Sequence, residues 1–284
     1  MFRDPLLQTK LERDGYVLVD FFSREEMARL LAIFERLHDF PVEGMFFSNR
    51  SPDEAYKARV QEVMREFYVP KVEALFSEAD WIDGVFIVKA PGAGEFGTHQ
   101  DWSLVDERHH RSVGIWAPLL DTDAANGTFC VLPGSHRFFE TYRSPTIPSI
   151  YVQDDLEPVI QRHRRVLSVR QGQAVVFDHA LVHATTPNAS ARPRAAAFVG
   201  IKPRPAPMRF YWRDGERIEA FAIEPSFLYR YDYVSRPAAE SLGHLDYALP
   251  RLAPTELEAR IADHRRSLPG WWGRRRERKA GILA

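Results

Sequence analysis

A histidine and a carboxylate stand two residues apart in the stretch 98–102, THQDW. In an extended segment, side chains at positions i and i+2 project from the same face, so His99 and Asp101 can bind one metal ion together. A third ligand is available downstream, where His179 and His183 have the same strand parity. Two histidines and one carboxylate form the facial triad that leaves open positions on non-haem Fe(II). Open positions allow chemistry, so the pattern predicts an enzyme.

Short apolar segments bounded by turn residues surround these candidate ligands, and their period is that of β-strands. Many short strands separated by turns are typical of a double-sheet jelly roll. We therefore predict a mainly β fold with flanking helices and a double-stranded β-helix core of the cupin-like kind. The predicted core strands are 85–88, 113–116, 128–132, 166–169, 174–177 and 195–199.

Helical patterns dominate the N-terminal part of the chain. Residues 6–13 indicate a short amphipathic helix and residues 15–20 a strand, after which Ser23 and Glu26 have the spacing of a capping box. A second helical pattern covers residues 52–76 and contains Pro70, which predicts two helices divided near that proline. We expect these helices to pack against one sheet.

A chain of 284 residues is long enough for one sizeable core, and we predict a single domain over 1–284. Its expected parts are a helical buttress at 1–83, a jelly-roll core at 84–203 with an insert at 138–165, and a C-terminal aromatic segment and basic tail at 204–284. The polar, proline-containing insert is either a lid over the pocket or a surface excursion. The C-terminal aromatic residues either line a pocket or fill core.

Composition gives no sign of a polymeric partner. The formal net charge of -1 provides no overall field toward nucleic acid or an anionic membrane, and no run approaches the roughly 20 apolar residues of a membrane helix. The single cysteine, Cys130, lies in an apolar run and is expected to be a buried structural thiol in a reducing compartment. The N-terminus lacks a secretory pattern. We therefore expect a cytoplasmic protein whose partner is a small-molecule substrate; its oligomeric state does not follow.

Three motif stretches lie around the candidate ligands, in a fixed order along the chain. The motifs are 88–92 (VKAPG), 126–136 (NGTFCVLPGSH) and 172–178 (GQAVVFD), followed by His183, Asn188, Arg192 and Arg194. In that order, from about residue 11 to about residue 203, the sequence resembles the phytanoyl-CoA dioxygenase family of Fe(II)/2-oxoglutarate oxygenases. The resemblance implies Fe(II), 2-oxoglutarate and O2 as cofactors, with decarboxylation of 2-oxoglutarate to succinate and hydroxylation of the substrate.

The resemblance also assigns roles to residues. In the family the ligand histidine precedes a turn with Pro-Asn and then a basic residue on the next strand, which matches His183 and not His179. The resemblance adds Trp116 as a cosubstrate contact. Related halogenases lack the carboxylate ligand, and the presence of Asp101 favours hydroxylation. Desaturation or cyclisation by the same oxidant, or a non-catalytic jelly-roll binding module, are the alternatives, and the fold does not select the substrate.

The far carboxylate of 2-oxoglutarate needs a partner, and a guanidinium offers a planar fork that matches it. Arg194 opens an apolar strand, where an unpaired charge is costly to bury, whereas Arg192 precedes Pro193 in the turn and is expected to face solvent. Arg194 is therefore the predicted clamp. Lys89 and Thr128 are further candidates for cosubstrate binding.

Overall fold

The structure, a computed structural model, describes residues 1–153, 155–230 and 232–267. Its helices are α1 (Pro5–Asp14), α2 (Arg24–Leu37), α3 (Glu54–Leu75), α4 (Glu157–His163), α5 (Phe227–Arg230) and α6 (Pro254–Arg266). Its strands are β1 (Tyr16–Asp20), β2 (Met45–Phe47), β3 (Ala79–Lys89), β4 (Phe96–His99), β5 (Val113–Pro118), β6 (Phe129–Val131), β7 (Arg165–Val166), β8 (Gln173–Asp178), β9 (His183–Thr185), β10 (Arg194–Pro203), β11 (Arg209–Asp214), β12 (Arg217–Ala222) and β13 (Ser241–Asp246).

Two antiparallel sheets form the core. Within the described residues, the larger sheet has six strands in the order β1-β8-β5-β10-β3-β2, and the smaller has four in the order β4-β9-β6-β7. Apolar side chains from both sheets meet in one cluster, which includes Trp116 and Phe177 of the larger sheet and Phe129 of the smaller. This arrangement confirms the predicted mainly β fold class with flanking helices.

The N-terminal helices cover the outer face of the larger sheet. Their buried side chains, among them Leu30, Val63 and Met64, pack against sheet residues such as Val176 and Val199. Each such large side chain stabilises the fold by roughly 1.5–3 kcal/mol relative to an exposed one. The same N-terminal segment supplies both edge strands of this sheet, β1 and β2, and β3 runs across residue 83. The division of the chain into a buttress at 1–83 and a core at 84–203 stays a prediction.

Helix α2 begins as the sequence predicts, because the Ser23 hydroxyl accepts from the Glu26 amide and the Glu26 carboxylate accepts from the Ser23 amide. The predicted division of the next helical segment near Pro70 is wrong. α3 continues through that proline. Pro70 removes one backbone donor, but Phe67, Tyr68 and Val72 on both sides of it are buried, and this packing holds the helix together across the proline.

The insert at residues 138–165 is largely packed against the body of the protein. It contains α4, and its side chains Ile150, Tyr151 and Ile160 are buried in a cluster with Leu257 and Ile261 of α6. Its basic residues are also engaged, since Arg162 pairs with Glu258 and Arg164 with Glu95. Closure of this segment as a lid stays a prediction.

The C-terminal segment adds a small sheet, which in the part of the chain that the structure describes has the order β11-β12-β13. Phe210 and Phe221 fill a buried cluster, whereas Leu228 and Tyr233 line a cavity that also contains His99 and His183. The C-terminal segment therefore both fills core and lines a pocket. The predicted basic tail, residues 274–279, lies outside the described residues. No helix that the structure describes is both long and apolar enough to cross a membrane.

Candidate active site

Antiparallel pairing of β4 with β9 brings the two histidines of the predicted triad together. His99 ends β4 and lies directly opposite His183, which begins β9, and their ring centroids are 4.1 Å apart. Asp101 follows β4, and its Oδ1 lies 3.9 Å from His183 Nε2. One ligand atom from each of the three side chains falls within a group no wider than 4.8 Å. The structure therefore assembles the triad from segments more than 80 residues apart in the sequence.

Both histidines are oriented in the same way. The Nδ1 of His99 donates to the carbonyl of Gly97 at 2.8 Å, and the Nδ1 of His183 donates to the carbonyl of Leu181 at 2.8 Å. Each Nε2 is then the unprotonated nitrogen, which is the form that binds a metal. Burial lowers the pKa of each histidine to about 4, with the neighbouring His183 contributing to the shift at His99. Both rings are therefore neutral at pH 7 and ready to ligate.

The remaining donor set fits a metal ion. The Oδ2 of Asp101 is buried and has no hydrogen-bond partner among the described residues, as expected for an oxygen that a cation would bind. His179 lies on the same cavity, but its Nδ1 is hydrogen-bonded to Ser112 Oγ at 2.9 Å, and it is not part of the ligand group. The structure thus brings His183, and not His179, to His99 and Asp101.

The turn before His183 is held by several side chains. The amide of Ala180 donates to Asp178 Oδ1 at 2.8 Å, and the amide of Val182 donates to Ser135 Oγ at 2.9 Å. Gln100, between the two ligands of the first motif, donates from its side-chain amide to the carbonyl of Ala180. The two metal-binding segments are therefore tied to each other and to the PGSH turn.

Arg143 of the insert is hydrogen-bonded to the backbone of Asp101. Its Nε donates to the backbone carbonyl of Asp101 at 2.7 Å, and its two terminal nitrogens form a bidentate pair with the Glu107 carboxylate. The guanidinium is 5% exposed, and the nearby Glu107 raises its pKa above the ordinary value. A buried fork of this kind fixes the backbone from which a ligand projects.

We expect Arg143→Lys to weaken metal binding by about ten- to a hundred-fold, because a lysine cannot bond Asp101 and grip Glu107 as a fork at once. Titration of the apoprotein with Ni(II) or Fe(II) measures this. Arg137→Lys is the matched control, since that arginine donates to the carbonyl of Arg13 and bonds neither Asp101 nor Glu107. Unchanged metal affinity together with a lowered melting temperature would show that Arg143 serves stability alone.

A cavity of about 230 Å³ opens beside the triad. It lies between the two sheets and is closed on one side by the C-terminal segment. Two predicted cosubstrate contacts, Trp116 and Arg194, are part of its wall. The lining residues are Met45, Phe47, Asn49, Arg50, Asp83, Val85, Ile87, Phe96, His99, Gln100, Asp101, Trp102, Leu104, Trp116, Phe129, His179, His183, Thr185, Arg194, Phe198, Leu228 and Tyr233.

Arg194 lies at one end of this cavity and is 2% exposed. Its Nε and Nη2 find no hydrogen-bond partner in the part of the chain that the structure describes, and its guanidinium lies 5.5 Å from the Trp116 ring centroid. Burial lowers its pKa to about 10. Arg192 is exposed in the turn, as expected. A buried guanidinium with unpaired donors is a site for an anion, and a carboxylate matches its fork.

The other two candidates behave differently. Lys89 is fully buried beside Arg194 and donates to Thr185 Oγ1 at 2.8 Å and to the Thr186 carbonyl at 2.6 Å. Lys89 is not part of the cavity wall, but Thr185, to which it donates, is. Thr185 has the same strand parity as His183, so the sequence could have identified it as a cavity residue. The structure does not bring Thr128 to the cavity. Its hydroxyl donates to the Leu167 carbonyl at 2.6 Å, so it joins strands instead of binding cosubstrate.

The triad, the buried arginine and the facing sheets are the features expected of the Fe(II)/2-oxoglutarate-dependent oxygenase class. The phytanoyl-CoA dioxygenase (PhyH) family model matches residues 11–196, and the chain belongs to this family. A curated Dictyostelium discoideum protein named as a phytanoyl-CoA dioxygenase is 32% identical over 88 residues, which are 30% of this chain. The chain matches only 25% of that relative's length. Family and triad together confirm the predicted iron and 2-oxoglutarate cofactors.

Solved structures share the fold. EctD from S. alaskensis, crystallised with 2-oxoglutarate and 5-hydroxyectoine, is 23% identical with a TM-score of 0.53 over 83% of this chain and 86% of its own. HygX from Streptomyces hygroscopicus, crystallised with nickel, 2-oxoglutarate and hygromycin B, is 17% identical with a TM-score of 0.51 over 74% and 90%. EvdO2 from Micromonospora carbonacea var. aurantiaca, with 2-oxoglutarate, is 22% identical with a TM-score of 0.50 over 70% and 91%. These similarities confirm the jelly-roll core.

Proposed function

We propose that the protein hydroxylates a small-molecule substrate, with conversion of 2-oxoglutarate to succinate and carbon dioxide. The observation that carries the proposal is the buried guanidinium of Arg194, which lies in the same cavity as the triad and whose Nε and Nη2 have no hydrogen-bond partner among the described residues. A metal site alone is compatible with many reactions. A metal site in the same cavity as a buried arginine fits a dicarboxylate that binds the metal at one end and the arginine at the other.

Each residue has a role that follows from its contacts. His99, Asp101 and His183 hold the metal, which when bound supplies the activation of dioxygen. Arg194 binds the far carboxylate of 2-oxoglutarate. Thr185 accepts a hydrogen bond from Lys89, so its own hydroxyl proton is available for the cosubstrate.

Aromatic rings keep water away from this end of the cavity. Phe129 and Phe177 lie 5.0 and 4.9 Å from the His183 ring, and Trp116 packs on Phe129 at 5.4 Å. The resulting low polarity strengthens the bond between Arg194 and a carboxylate. It also protects the reaction centre from solvent.

Hydroxylation is favoured over halogenation because Asp101 would bind the metal at the position that a halide would need. The cavity volume and mostly apolar lining suit a small molecule rather than a polymer. EctD and HygX, which share the fold, were crystallised with small molecules in addition to 2-oxoglutarate. These observations support a metabolite-sized substrate.

The experiment is a screen of metabolite classes with Fe(II), 2-oxoglutarate and dioxygen, in which succinate release and product mass are both recorded. We expect succinate to accompany a product with one added oxygen. A product that has lost two hydrogens would indicate desaturation or cyclisation. Failure of the Ni(II)-loaded protein to bind 2-oxoglutarate would instead support a non-catalytic binding module and overturn the proposal.

A further inference from the structure

The cavity contains a second carboxylate, Asp83, at the end away from Arg194. Asp83, Ile87 and Lys89 have the same parity on β3, so they lie on its inner face. Lys89 lies opposite Arg194 in the register of β3 with β10. Asp83 and Lys89 are six positions apart on the strand, so their Cα atoms are separated by about 20 Å. The cosubstrate clamp and Asp83 therefore occupy opposite ends of the pocket, with the metal triad on the facing sheet.

The backbone makes room for this carboxylate. Gly200 is the partner of Asp83 on β10, and a Cβ at that position would lie 3.0 Å from Asp83 Oδ1. The ladder bulges between Gly200 and Ile201, immediately after this pair. A side chain here would push the carboxylate out of its position, so the strand accommodates Asp83 by using glycine.

Asp83 is 9% exposed, so its carboxylate is almost fully buried. No lysine, arginine or histidine side chain that the structure describes forms an ion pair with it, and Arg50 on the cavity wall lies instead over the Phe47 ring at 4.5 Å. Burial, together with the charge of Asp101, raises the pKa of Asp83 to about 7. A carboxylate in this position is costly to keep ionised unless a cation joins it.

Acceptors and aromatic rings surround this end of the cavity. Asn49 Oδ1 is buried and, in the described part of the chain, has no donor bonded to it. Trp102 and Tyr233 pack with ring centroids 4.7 Å apart, and Phe47 lies on the same cavity. Unfilled acceptors call for N–H donors, and aromatic faces attract cations.

We propose that the substrate carries a basic nitrogen, protonated when bound, which pairs with Asp83 among these aromatic rings. The inference rests on the proposed function, because it names the substrate class of the same pocket. A neutral polyol would satisfy Asn49 but would leave the Asp83 charge buried without a counter-ion. An anionic substrate would be repelled. Asp83 thus selects for amines, amidines or guanidines.

The test uses protein loaded with Ni(II) and 2-oxoglutarate, titrated calorimetrically with three ligands of matched size: cyclohexylmethylamine, cyclohexylmethanol and cyclohexanecarboxylate. We expect the dissociation constant of the amine to be lower than that of the alcohol by about ten-fold or more, because the amine forms a charge-assisted hydrogen bond. Asp83→Asn, which keeps the side-chain shape, should abolish that preference. Asp80→Asn is the matched control, since Asp80 lies on the same strand but pairs with Lys202 outside the cavity.

Equal binding of amine and alcohol to the unaltered protein would overturn the inference without any variant, as would absence of amine binding at millimolar concentration. Retention of the amine preference in Asp83→Asn would do the same. Failure of the proposed function has a different signature, because the unaltered, Ni(II)-loaded protein would then not bind 2-oxoglutarate, which is measured calorimetrically before the three ligands are added. The two ideas can therefore fail separately.

Discussion

Replacing His99, Asp101 or His183 by alanine is expected to abolish both iron binding and succinate formation, whereas His179→Ala keeps a substantial part of each. The reason is geometric. The first three side chains place one ligand atom each within a group 4.8 Å wide, while His179 is occupied by its hydrogen bond with Ser112. Iron content after reconstitution and succinate release, measured on the same samples, test this.

The four variants also serve as mutual controls, because His179 and His183 are both buried and lie close together in sequence. A folding defect would affect both substitutions similarly, which circular dichroism would reveal. Loss of iron from the His179 variant with retention in the His183 variant would reverse the assignment.

Acid should act through the same ligands. His99 and His183 have a pKa of about 4, below the ordinary value of 6.5, because burial disfavours the charged ring. A proton is therefore excluded from the folded site at neutral pH and competes with the metal only as the pH approaches 4. In the apoprotein, protonation favours the unfolded chain, so stability declines as the pH falls from 6.5 toward 4.

The metal site was predictable because one half of it is a local signal and the family resemblance selects the other half, His183. Parity two residues apart places His99 and Asp101 on one face, and strand pairing then needs only to bring His183 opposite. The PGSH turn and the later Pro-Asn have structural roles that explain their place in the motif. Ser135 accepts from the Val182 amide, and the Asn188 side chain donates to the carbonyls of Lys89 and Arg192, joining β3 to the turn before β10.

The Asn-Gly-Thr motif was predictable in position but not in role. Gly127 has a φ of +88°, and a Cβ there would lie 2.9 Å from the Lys89 side chain and 3.4 Å from Arg194 Nε. The glycine therefore gives two buried cations room beside each other. Thr128, the next residue, turns its hydroxyl to Leu167, which is a consequence of strand register that no local pattern reveals.

Other features depend on contacts between distant segments. In the sequence, Arg143 is one polar residue in a weakly periodic loop. Its hydrogen bond to the Asp101 carbonyl, 42 residues away, is visible only in the fold. Asp83 lies in a strand whose apolar neighbours hide its inward direction. The continuous α3 shows the same limit, since packing on both sides of Pro70 outweighs the local preference of proline.

Arg194→Ala is expected to raise the 2-oxoglutarate requirement ten- to a hundred-fold or more, because it removes charge-assisted hydrogen bonds worth roughly 1.5–3 kcal/mol each. The guanidinium is buried, stacks near Trp116 and has unpaired donors with respect to the described residues, so a bound carboxylate would be its principal partner. Arg194→Lys should recover only part of the binding, because an ammonium lacks the planar fork. Titration of 2-oxoglutarate into the Ni(II)-loaded variants measures the effect.

Arg192→Ala provides the matched control, two residues away on the exposed turn before β10. Its removal should leave 2-oxoglutarate affinity nearly unchanged and alter the free energy of unfolding by no more than about 0.5 kcal/mol. A larger loss of affinity at Arg192 than at Arg194 would contradict the assignment, because the arginine that binds the far carboxylate of 2-oxoglutarate would then belong to the turn and not to the cavity wall. Iron affinity measured without 2-oxoglutarate should be equal in both variants, since neither arginine contacts the triad.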